Sequence, residues 1–172
     1  MPTVIHGLPA HVLLLHVVVV LLPLGALFTV LGAVWPAARR KLGFIAPLTC
    51  LVALIFVPIT TNAGRWYQHY LERQAGGSLP AIDHHAALGH SMIWFAIGLF
   101  VVSTVAYSFG RYKDLAEAEA EPSRRSAAVL RSSAPAYAVA AAAIVMSGVA
   151  VWWLYRVGDS GAFAVYGGSV HS

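Results

Sequence analysis

The sequence predicts an all-α integral membrane protein, one four-helix bundle, and three observations predict it. Hydrophobic residues make up 59% of the 172 positions and charged residues only 10%, whereas a soluble domain carries about a quarter charged residues. Mean hydropathy is +0.72. Four apolar segments, about 8–35, 44–63, 86–108 and 134–154, each approach or exceed the roughly 20 residues that a bilayer crossing needs. The connections are too short to hold a soluble domain, so residues 1–172 read as one domain.

The first segment has no Lys or Arg before it and is longer than a signal-peptide core, so it reads as a permanent helix. Pro9 suits its first turn. Pro23 should kink it and free the carbonyl of Val19. Trp35-Pro36 ends the span, and the short 37–43 link makes the first two helices antiparallel neighbours. The second segment holds Pro47 early and Pro58 late. Thr60, Thr61 and Asn62 follow Pro58, where they can satisfy backbone groups that it frees or line a site. Cys50, the only cysteine, reads as a small core side chain and excludes an intrachain disulfide.

Residues 64–85 form the next connection. Trp66, Tyr70 and Arg73 share a helical face, so 65–74 is expected to make a short helix on the membrane surface. Asp83 is a fitting N-cap for the third segment. The polar stretch 109–133 joins an acidic DLAEAEAE run to a basic PSRRSAAVLRSS run and reads as a solvated charged loop. The fourth segment is alanine-rich. Its Ala138-xxx-Ala142 and Ala143-xxx-Ser147 spacings favour close helix packing. Trp152, Trp153 and Tyr155 mark an interface, and the glycine-rich 158–168 stretch reads as a short tail.

The pI of 9.5 does not indicate nucleic-acid binding, because the charges are segregated. Arg39, Arg40, Lys41, Arg111, Lys113, Arg124, Arg125 and Arg131 fall at one end of the spans. Arg65, Arg73 and Arg156 fall at the other. The positive-inside rule makes the first end cytoplasmic. Both termini, the 64–85 connection and all eight histidines are then expected on the outer side of the plasma membrane.

Four of those histidines repeat one spacing, His11-x4-His16 and His85-x4-His90. Five residues advance a helix by about 7.5 Å and turn it by about 140°. The two histidines of one helix therefore face different ways, and a shared site must form between helices. Imidazole within a bilayer is costly without a partner and marks a functional site by default. Two chemistries fit. A haem b between the first and third spans would take two axial imidazoles, which favours electron transfer. Arg65 or Arg156 would pair with its propionates, and Gly89 and Gly25 are small residues of the kind that make room for a porphyrin. Alternatively, three or four histidines gather one copper or zinc ion, with Met92 a further soft ligand. His6 and His171 are expected to be solvated, and His69 and His84 interfacial.

The run Gly7-x-Pro9-x-His11-x4-His16-x6-Pro23 resembles the opening of the small bacterial four-helix membrane proteins of the domain-of-unknown-function 2231 family. So do Thr61-x-x-Gly64-x-x-Tyr67, His85-x-x-Leu88-Gly89, and Arg156-x-Gly158-x-Ser160-Gly161-Ala162-x-Ala164-Val165. The similarity spans nearly the whole chain. The resemblance implies the four-span architecture and points towards haem or redox work, since some relatives adjoin iron–sulfur electron-transfer domains. It makes His11, His16 and His85 the typical positions and raises the pairings His16–His85 and His11–His85 over His16–His90.

The expected function is therefore a membrane redox subunit that holds haem b near the outer face and exchanges electrons with a partner subunit, rather than a free-standing enzyme. The alternative is a non-catalytic accessory subunit of a larger complex. The topology is checked directly: the substitutions Gly77→Cys and Ser123→Cys should label from opposite sides of intact cells, Gly77→Cys from outside. Labelling of both from one side would remove the four-span scheme.

Overall fold

The computed structural model describes residues 4–5, 8–119 and 133–167. A minimal antiparallel pair, β1 (Val4–Ile5) and β2 (Leu8–Pro9), precedes five helices: α1 (Ala10–Val34), α2 (Pro36–Leu42), α3 (Ile45–Ala75), α4 (Pro80–Glu119) and α5 (Ser133–Tyr166). Four of them, α1, α3, α4 and α5, are long and apolar enough to cross a membrane.

Three of these helices outrun the apolar segments. α3 continues through 65–74 without a break, so the expected separate surface helix is the last three turns of a single rod about 46 Å long. No proline follows Pro58, and Gln68 Nε2 supports the extension by bonding Glu72 one turn on, at 2.9 Å. Gly76 ends it in the left-handed conformation, φ 73°, which glycine alone adopts without strain. α4 begins at Pro80, earlier than an Asp83 cap would place it. Pro80 fills the first position, where a missing N–H costs nothing, and Asp83 lies in the first turn, where the helix dipole favours a carboxylate. α4 also carries the start of the acidic run to Glu119, so that part of the expected loop is helix; the rest of that loop's calls lie outside the described residues. Finally, α5 includes residues 155–166, which read as interface and tail in the sequence. His6 and His171 lie outside the described residues.

The four long helices form a closed ring in the order α1, α3, α4, α5, with α1 and α4 diagonal across it. The core sits on the ring's axis: Val18 and Leu22 of α1, Cys50, Ala53 and Val57 of α3, Met92, Ala96 and Leu99 of α4, Ala150 and Leu154 of α5. Met92 and Cys50 are ordinary members of it.

The buried stripe is duplicated, beyond the H-x4-H spacing visible in the sequence. A shift of 74 positions carries His11 onto His85, Val18 onto Met92, Leu22 onto Ala96 and Thr29 onto Ser103. A shift of 97 carries Ala46, Cys50, Ala53, Val57 and Thr60 of α3 onto Ala143, Ser147, Ala150, Leu154 and Val157 of α5, all buried. The bundle is thus two helix pairs, α1–α3 and α4–α5, related by a pseudo-twofold axis along its length. The Thr29 and Ser103 hydroxyls meet near that axis at 2.9 Å, and Thr29 Oγ1 also lies 2.7 Å from the Gly25 carbonyl. Such bonds between membrane helices contribute about 0.6–1.7 kcal/mol each.

Gly25 sets the closest approach of α1 to α3. A Cβ there would lie 2.8 Å from Cys50 Sγ and 3.4 Å from its backbone nitrogen. Gly25→Ala should therefore lower thermal stability in detergent, by about 1–3 kcal/mol, the usual range for overpacking. Cys50→Ala in the same chain should restore most of it, because the sulfur is the nearest obstacle. An unchanged melting temperature for Gly25→Ala would contradict this packing.

Candidate functional site

The pseudo-twofold arrangement seats two imidazoles in equivalent places at one end of the bundle. On α1, His11 Nδ1 is 3.0 Å from the carbonyl oxygen of Thr60 on α3. On α4, His85 Nδ1 is 3.1 Å from the carbonyl oxygen of Val157 on α5. Four residues beyond each carbonyl stands a glycine. A Cβ on Gly64 would lie 2.9 Å from His11 Cε1 and Nδ1, and one on Gly161 would lie 3.0 Å from His85 Cε1. Each ring therefore lies flat in a space that any side chain on the neighbouring helix would fill.

The acceptors fix the protonation pattern. A carbonyl oxygen can only accept, so a neutral His11 carries its proton on Nδ1. His85 Nδ1 is also 3.0 Å from Ser160 Oγ, but Ser160 gives its own hydrogen to the Val157 carbonyl at 2.8 Å. Its oxygen is left to accept, and His85 too carries its proton on Nδ1. Both Nε2 atoms then present a lone pair. A carbonyl on one ring nitrogen with a free lone pair on the other is the arrangement that orients metal-binding histidines.

The two rings face one another across the diagonal, with centroids 6.4 Å apart and planes at 76°. Two imidazoles on opposite sides of one metal, with bonds of about 2.0 Å and about 1.1 Å from each nitrogen to its ring centre, would have centroids about 6.2 Å apart. Thr60 adds a further polar group beside His11. Its hydroxyl is buried and has no hydrogen-bond partner among the described residues, an arrangement that costs about 1–3 kcal/mol.

The other predicted site residues go elsewhere. His16 is exposed on the outer face of α1 and bonds its own helix at the Val12 carbonyl, 2.6 Å. His90 is exposed and accepts from Arg65 at 3.2 Å. The pairings His16–His90 and His16–His85 are thus not assembled, because the 140° turn between the members of each H-x4-H points one inward and the other out. Arg156 is exposed, its guanidinium 5.5 Å from the Trp152 ring centre. Gly25 serves helix packing far below the pair, and Gly89 has open space beside it. Thr61 bonds the Val57 carbonyl at 2.8 Å, so it does not serve the Leu54 carbonyl that Pro58 leaves free. Asp83 accepts a hydrogen bond from Gln68 at 2.7 Å. His69 pairs with Glu72 at 3.3 Å. Among the described residues, no third His, Cys, Asp or Glu joins the pair in a metal-holding group.

Four residues of the seat, Gly64, Val157, Ser160 and Gly161, carry no signal in composition or periodicity. Gly64, Ser160 and Gly161 do stand in the stretches quoted above for their resemblance to a family. Comparisons of the chain with protein-family models, with curated proteins and with solved structures find no match.

Proposed function

We propose that this protein is a membrane redox subunit in which the imidazoles of His11 and His85 would hold one b-type haem. The observation that carries the reading is the pair itself: two imidazoles with free Nε2 lone pairs and ring centroids 6.4 Å apart, a separation compatible with one shared metal. A haem needs only two protein ligands, since the porphyrin supplies the rest. A lone zinc ion needs three or four. Bound there, haem b would supply a one-electron centre whose filled axial positions favour electron transfer over oxygen chemistry.

The chain's own part is orientation. The Thr60 and Val157 carbonyls hold the tautomers, and Gly64 and Gly161 admit the rings. Arg65 and Arg156, exposed near the seat, offer partners for propionates. The segregation of basic residues supports an orientation with this end on the outer side of the plasma membrane, both termini outside, and electrons passing to or from a neighbouring membrane subunit. The resemblance to the domain-of-unknown-function 2231 family supports the same redox reading.

A reduced-minus-oxidised spectrum of the purified protein, expressed with ample haem, should show the sharp α-band of a low-spin b-type haem. His11→Ala and His85→Ala should each abolish it or convert it to high-spin. His16→Ala and His90→Ala should leave it intact, because those rings face away. A colourless protein would end this reading. About one copper or zinc ion per colourless chain would replace haem with that ion, and neither metal nor haem would favour the accessory-subunit role.

A further inference from the structure

At the end opposite the histidines, a cleft of about 270 Å³ lies between the ends of α1 and α2, the second half of α4 and the start of α5. Small residues, Gly32, Gly110 and Ala140 among them, form much of its wall, and Arg39 and Lys113 supply its cations. These two are equivalent under the 74-position shift. Val34 and Tyr137 at its edge are exposed, so it opens on the outer surface of the bundle, the surface that meets lipid.

The two cations differ in their commitments. The Arg39 stem crosses α4 at Gly110, where a Cβ would collide with Arg39 Cδ. Its guanidinium then binds Asp114 through Nη2 at 2.7 Å and Nε at 3.4 Å. That bond fixes the group and leaves further N–H donors unused. Lys113 has no ion-pair partner among the described residues. Arg40, Lys41 and Arg111 are exposed at the same end, and Glu117 and Glu119 stand further along α4.

We propose that this cleft binds the phosphate headgroup of an anionic phospholipid. A held guanidinium and the Lys113 ammonium over apolar, small-residue walls suit a phosphate attached to glycerol. Basic pockets between membrane helices bind acidic lipid headgroups, and each cation near the surface is worth about a fivefold change in affinity. The occupant's identity rests on charge complementarity together with the opening towards lipid, and it is independent of the haem reading.

The test is native mass spectrometry of the full-length protein in detergent with phosphatidylglycerol or phosphatidylcholine. The wild-type chain should retain phosphatidylglycerol preferentially. Lys113→Gln should weaken that retention about fivefold, and Ala140→Leu, which fills the cleft without changing charge, should abolish it. Lys41→Gln, whose cation is outside the cleft lining, should leave retention unchanged. Equal retention of the two lipids would overturn the proposal. So would equal losses in Lys41→Gln and Lys113→Gln, which would mark a diffuse charge effect, or full retention in Ala140→Leu.

Discussion

A polar side chain inside a membrane bundle must find its hydrogen-bond partner within the protein, and this constraint shapes the histidine end of the molecule. An α-helix offers little there, because its carbonyls already accept from the next turn. A carbonyl has a second lone pair, however, and a ring can lie close against it where the helix surface is bare. Gly64 and Gly161 provide that bareness one turn past Thr60 and Val157. Each imidazole is thereby pinned by one nitrogen to the next helix of the ring, and its other nitrogen is free for chemistry.

The duplication explains why this happens twice and why the two rings meet. α1 and α4 are diagonal and parallel, so equivalent side chains on them approach the same axis from opposite sides. His11 meets His85 at one level and Thr29 meets Ser103 at another. Between these levels the axis is filled by Val18, Leu22, Met92 and Ala96. The halves diverge at the other end, where α1 gives way to α2 and α4 continues as helix to Glu119. Arg39 and Lys113, equivalent by position, consequently take different roles around one cleft.

Much of this architecture was legible in the sequence. Four apolar segments, their lengths and the segregation of histidines from most basic residues follow from composition and order. The H-x4-H phases kept the two rings of each pair off one face, so at most one could point inward. They did not say which, since that depends on how each helix is rotated against its neighbours. The extension of α3 and α5 past their apolar stretches was hidden because hydropathy reports the lipid boundary, whereas helices end where a breaker stands, at Gly76 after α3. Residues 158–161 look like a glycine-rich tail for the same reason. They form the seat of His85 because α5 continues as helix across them. The repeat was hidden as well: Val18 with Met92, or Cys50 with Ser147, share burial without sharing identity.

The central claim is that His11 and His85, whose ring planes stand 76° apart, would hold one haem between them. Electron paramagnetic resonance of the oxidised protein tests it most directly, because the angle between axial imidazole planes sets the anisotropy of a low-spin ferric haem. The account predicts the strongly anisotropic low-spin signal of near-perpendicular imidazoles. A high-spin axial signal, or the less anisotropic spectrum of parallel imidazoles, would contradict it.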